Sequence, residues 1–190
     1  MTHFRFALLV SALFPAASAI ADSAMQGENL LQALPHGYKI GYHTRQGQMR
    51  MSEMVPSDES VERWTRMVTT QVFHGARMPA DGFQQRLAAS LAGACPGANA
   101  VKIDAGEEDG YMYALWQHVC PLNPATGTPE HFWSKTIEGN DAFYSVQFAF
   151  RHVPSERDTH LALRHLAEVR ICDSRIPGRD CPNVSPAHQD

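Results

Sequence analysis

The stretch that decides the fold is 131–150, "HFWSKTIEGNDAFYSVQFAF". In its second half Tyr144, Val146, Phe148 and Phe150 fall on one side of a period-two pattern, and Ser145 and Gln147 fall on the other. In its first half Phe132 and Trp133 are adjacent, so apolar bulk points to both faces. Between the halves, "GN" reads as a two-residue hairpin turn. The spacing therefore predicts paired strands over 132–138 and 142–151. A strand with apolar residues on both faces is covered on both faces.

A second strand pair precedes the first. Segments 98–104 and 111–119 alternate, and the acidic stretch "AGEEDG" at 105–110 joins them as a solvated turn. Tyr111, Tyr113 and Trp116 occupy both faces of the later segment. Two readings of the aromatics Tyr111, Tyr113, Trp116 and Trp133 stand side by side. They are the filling of a sandwiched sheet, or they line a groove that takes a small hydrophobic ligand or a peptide. Met49, Met51 and Met54 are further candidates for such a surface, since methionine adapts to its partners, and they suit a core equally well. "PLNPATGTPEH", 121–131, reads as the longest irregular stretch between strands, because three prolines and a glycine interrupt it.

Farther upstream, "HGYKIGYHTRQGQMRMSEMVP" reads as a hairpin in which Tyr38, Ile40 and Tyr42 share a face, with Met49 and Met51 on the return strand. A further strand is expected at about 64–73, where Val and Thr residues outweigh a helical spacing. Two segments read as helices. Phe83, Leu87 and Leu91 repeat every four residues after Pro79. Ser155 and Asp158 open the second as a capping box, and Leu161, His165, Leu166 and Val169 mark its inner side. The segment 22–34 reads as a lead-in with a short helix.

Hairpins interspersed with two helices define an α+β domain: a mainly antiparallel sheet of about six to seven strands with two principal helices packed on it. The element order over 37–170 resembles the PsbP-like α/β sandwich. That resemblance implies helices over a central antiparallel sheet and a binding or assembly accessory. It carries no site residue across.

The N-terminal stretch "MTHFRFALLVSALFPAASAIADS" has a weakly basic start, an apolar run from Phe6 to Phe14 and small residues at Ala17, Ala19 and Ala21. This is the pattern of a cleaved signal peptide over 1–21, with an apolar run too short to span a bilayer. The expected organisation is a leader at 1–21, a lead-in at 22–36, one domain at 37–182 and a flexible tail at 183–190. Of 16 Lys and Arg residues, Arg5 lies in the leader, leaving 15 against 20 acids, a formal charge of −5. The basic residues are scattered, which argues against a nucleic-acid partner, and no membrane span is expected.

The four cysteines are Cys95, Cys120, Cys172 and Cys181. An even count behind a leader favours disulfides and a periplasmic or secreted location. Cys172 and Cys181 flank a Pro177-Gly178 turn, and Cys95 and Cys120 each precede a proline. The expected pairs are 95–120 and 172–181. The C-x2-C spacings of zinc and redox sites are absent.

Histidine is the one enriched reactive residue, with ten in the chain. His43, His118, His131 and His152 lie at or near the ends of expected strands, where imidazoles can bind zinc or copper. Yet no short His motif occurs, and no nucleophile elbow is present. The acids Glu107, Glu108 and Asp109 lack the alternation of a calcium loop. The reading is an exported module without catalytic residues, resident metal or cofactor, whose partner is a protein or a small hydrophobic or peptide ligand. The alternative is a metal-binding protein or hydrolase built on His118, His131 and His152.

Overall fold

The computed structural model describes residues 23–184. The expected leader at 1–21 and the end of the expected tail lie outside the described residues. Strands run at Ser23–Ala24 (β1), Glu28–Leu31 (β2), Tyr38–Gln46 (β3), Met49–Pro56 (β4) and Arg66–His74 (β5). Helix α1, Ala80–Ala94, comes next, then β6 (Asn99–Glu108), β7 (Tyr111–Asn123), β8 (Thr128–Glu138) and β9 (Ala142–Phe150). Helix α2 spans Glu156–Glu168, followed by β10 (Arg170–Asp173) and β11 (Asn183–Val184). The fold is α+β. Seven strands form one antiparallel sheet in the order β3-β4-β5-β9-β8-β7-β6, with β9 at its centre.

The alternation in β9 sets both faces. Tyr144, Val146, Phe148 and Phe150 meet Ala162, Leu166 and Val169 from α2 and its end. On the opposite face Phe143 meets Phe83 of α1, with ring centres 5.1 Å apart, and Ala149 lies in a cluster completed by Leu87 and Leu91. Both faces of β9 are covered, although Ser145 and Gln147 interrupt the apolar row on the α1 side. Ser155 and Asp158 form the capping box at the start of α2, satisfying N–H groups the helix leaves open.

Two disulfides staple this frame, Cys95–Cys120 and Cys172–Cys181, as their local placement predicts. The first ties the end of α1 to β7. The second closes the loop after β10.

The structure corrects the sequence reading in five places. The lead-in is a strand at 28–31, paired with β10, rather than a helix. Glu28, Leu30 and Gln32 alternate inward. The Glu28 carboxylate accepts from the N–H groups of Asn140 and Asp141 (2.6 and 3.0 Å) and from the Tyr144 hydroxyl (3.0 Å). That carboxylate organises the β8–β9 connection, which has three residues, Gly139, Asn140 and Asp141, rather than two. A Cβ at Gly139 would collide with the Glu28 carboxylate, so glycine is required there.

The stretch 105–110 is mostly strand, and the turn is Asp109-Gly110 alone. Both residues have positive φ, 52° and 76°, as the mirror-image hairpin turn demands. The expected loop at 121–131 shrinks to 124–127. Asn123 holds this turn, accepting from Ala125 N through its side chain and from Gly127 N through its carbonyl. Its prolines sit beside a register irregularity between Cys120 and Asn123, where the ladder asks for fewer N–H donors. Finally, the register slips at Gly41, so Tyr42 faces away from Tyr38 and Ile40. Only Tyr38 of the three is buried.

Candidate functional site

Helix α2 packs mainly on β8 and β9, and β6 forms the sheet edge beyond them. Between α2 and that edge is a groove of about 450 Å³, walled by Leu163, Leu166 and Ala167 of α2 and by Ile103 and Leu115 of the sheet. A bulge between Lys102 and Asp104 turns Ile103 toward it. Ile103 is 46% exposed, and Val101 on the same edge strand is 48% exposed.

The polar groups at the floor are committed to one another. Lys135 is 4% exposed. Its Nζ donates to Glu108 Oε2 at 2.6 Å and to the Val169 carbonyl at 2.7 Å, and it lies 5.1 Å from the Tyr113 ring centre. The Tyr113 hydroxyl donates to Asp104 Oδ2 at 2.7 Å. That hydrogen bond, with burial, pushes the Tyr113 pKa above the ordinary tyrosine value. Asp104 Oδ1 accepts from Ala105 N at 2.9 Å. The carboxylate and the carbonyl compensate the ammonium for the water it loses on burial. The chemistry this groove offers is apolar contact around a neutralised floor.

Of the four aromatic candidates, the structure brings Tyr113 to the groove. Tyr111 is buried on the same face beneath the Arg179 guanidinium, 4.9 Å from its ring centre. Trp133 is buried edge-on to Phe150, with ring centres 6.0 Å apart. Trp116 is on the α1 face, where its Nε1 donates to Asp81 Oδ1 at 2.9 Å. Met49 and Met51 align with Phe73 and Gln71, and Met54 is in the α2-side core. Sequence reasoning missed Lys135, Ile103 and Leu163, and it placed Glu108 in a solvated turn rather than in β6 against Lys135. A lysine in the otherwise apolar row Trp133, Lys135, Ile137 was the available signal.

The histidines do not converge. His118 is buried on the α1 face, stacked 4.6 Å from Phe132. Gln84 donates its amide to the Ser134 carbonyl at 2.8 Å, so its Oε1 is the acceptor for His118 Nε2 at 3.1 Å. His131 pairs across from Val119, next to His118 in β7, and therefore projects from the other face. His118 and His131 cannot ligate one ion. His152 lies 3.3 Å from Asp158 at the start of α2. Among the described residues no group of three or more His, Cys, Asp or Glu is placed to hold a metal ion.

Burial pushes the His118 pKa down from 6.5 to about 4, and its Nδ1 has no partner among the described residues. Burial also lowers His131 and His165. The unfolded chain then binds more protons than the folded one between pH 6.5 and 4, so stability falls as pH is lowered through that window. Thermal midpoints measured from pH 7 to pH 4 should fall steadily. An NMR titration that placed His118 at its ordinary value would contradict this account.

The fold and the groove together describe an α+β sandwich with an apolar cleft between a helix and a sheet edge. No protein-family model matches the chain, and no curated protein matches it. Among solved structures, it is similar to the Ran-binding protein Mog1p of Saccharomyces cerevisiae, with a TM-score of 0.48 and 9% identity. That match covers 80% of this chain and 98% of Mog1p. It is also similar to cyanobacterial PsbP from Synechocystis, with a TM-score of 0.41 and 10% identity, covering 81% of this chain and 98% of that one. The second is of the kind that the element order resembles. Nothing about this chain's partners follows from either likeness.

Proposed function

We propose that the chain is an exported, non-catalytic binding module, periplasmic or secreted, that takes apolar side chains of a protein or peptide partner into the α2–β6 groove. The observation that carries this reading is the groove itself. It has half-exposed aliphatic side chains at its edge, while the lysine, tyrosine and carboxylates of its floor are already paired. A cleft of this kind supplies contact area and desolvation, the terms that dominate partner binding. Export is supported by the leader pattern at 1–21 and by the two disulfides, which persist in oxidising compartments. Among the described residues no helix is long and apolar enough to cross a membrane.

A photoreactive side chain at position 163, next to the groove, tests the reading in periplasmic extract. It should trap a specific partner. Ile103→Asp should reduce trapping by about tenfold or more, since a buried contact of this kind is worth at least 1.4 kcal/mol. Ile40→Asp should leave it unchanged, because Ile40 is on β3 at the other edge of the sheet. Both variants should fold, as both positions are half-exposed. Equal trapping by all three proteins would count against the groove, and substrate turnover without a trapped partner would count against a binding module.

A further inference from the structure

The wing formed by β3, β4 and β5 carries a pocket of about 380 Å³, away from the groove at β6. Two cross-strand rows form its surface. His43 is opposite Ser52, which is opposite Thr70. Arg45 is opposite Arg50, which is opposite Val72. Residues in register across antiparallel strands project from the same face, so Arg45 and Arg50 leave neighbouring strands on one side of the sheet.

Like charges directly opposite one another destabilise a sheet. Three other cations are ion-paired: Lys102 with Asp81, Lys135 with Glu108, and Arg175 with Asp141 and Asp173. Among the described residues neither Arg45 nor Arg50 has a carboxylate within ion-pair distance, and no acid lines the pocket. Arg45 reaches only the Gly47 carbonyl, at 3.4 Å. In the same row as the two cations, Val72 provides apolar surface. The Thr70 hydroxyl is already engaged, donating to Gln32 Oε1 at 2.6 Å.

We propose that this pocket binds a single phosphate-headed amphiphile, with the head between Arg45 and Arg50 and the alkyl body starting over Val72. One guanidinium satisfies both oxygens of a carboxylate through two parallel hydrogen bonds. Two guanidiniums from neighbouring strands, with His43 on the same face, suit a group with three terminal oxygens and close to two negative charges, which is a phosphate monoester. Its charge removes the repulsion that the pair otherwise carries.

Isothermal titration of the leader-free protein at pH 7 tests this. Decyl phosphate, kept below its micellar concentration, should bind saturably at one per chain. Arg45→Gln and Arg50→Gln should each weaken it by about tenfold or more. Decanoate and inorganic phosphate should bind more weakly than decyl phosphate, and decanol should show no binding. Arg50→Gln should not lower the unfolding midpoint of the ligand-free protein, because it removes a repulsion, and decyl phosphate should raise the wild-type midpoint more than the variant's. Four outcomes would overturn the proposal: no saturable binding, affinity unchanged in both arginine variants, decanoate binding as tightly as decyl phosphate, or anionic vesicles being bound while monomeric decyl phosphate is not. The groove reading is independent of all four.

Discussion

Phe148→Ala should destabilise the protein by about 3–5 kcal/mol, the largest effect of any single truncation considered for this chain. Phe148 is fully buried in the central strand. Its ring packs on Phe150 at 5.2 Å, on Tyr38 at 6.2 Å and on His165 of α2 at 5.6 Å. These neighbours come from three parts of the chain, so a cavity there cannot collapse around one mobile element. For a domain of this size the loss corresponds to a fall in thermal midpoint of roughly 10 °C. The informative companion is Phe143→Ala. Phe143 is as deeply buried as Phe148 but points to the α1 face, against Phe73 and Phe83. A sheet covered on both faces predicts a loss of similar size, roughly 3 kcal/mol or more. A sheet covered by α2 alone predicts a nearly neutral change at Phe143. Thermal or urea unfolding of the two variants separates these outcomes.

The second large effect concerns the staples. Removing Cys95–Cys120 should cost more than removing Cys172–Cys181. The separations are 25 and 9 residues. Loop-closure entropy grows with the logarithm of loop length, giving about 3.5 and about 2.6 kcal/mol for the two bridges. Placement widens the gap. Cys120 is fully buried in β7 and Cys95 caps α1, so losing this bridge also loosens the helix from the sheet. The Cys172–Cys181 bridge holds a peripheral loop that Asp173 and Arg175 also tie down, through hydrogen bonds of 2.7–2.8 Å. Unfolding midpoints of Cys95→Ser/Cys120→Ser and Cys172→Ser/Cys181→Ser should rank in that order. Peptide mapping without reductant should return the same two pairs. A larger loss from the second double variant would mean that the terminal loop, rather than the α1–β7 tie, holds the core together.

The central sheet was legible because its signals are local. Tyr144, Val146, Phe148 and Phe150 alternate in sequence, Phe83, Leu87 and Leu91 form a helical stripe, and Ser155 with Asp158 is a capping box at three-residue spacing. The cysteine pairs were legible for the same reason. Strand ends were not, because Pro, Gly and acidic residues signal turns while the partner strand decides where pairing stops. The ladder of β7 carries β6 through Glu107 and Glu108 to the turn at Asp109. β2 was missed because what makes it a strand lies more than 100 positions away: Glu28 serves the turn at 140–141, and Gln32 meets His165. The groove was half legible. Tyr113 came out of the aromatic pattern, but Ile103 enters the groove through a bulge, and Lys135 draws its partners from β6 and the end of α2. Neither can be read from spacing along one strand.

The claim that this chain is a binding module working through the α2–β6 groove is tested most directly by hydrogen–deuterium exchange on the purified complex with the trapped partner. The account predicts slower exchange at 101–107 and at 161–167, with the β3–β4 hairpin and α1 unchanged. Protection confined to α1 or to the β3–β4 hairpin, with 101–107 exchanging as in the free protein, would contradict it.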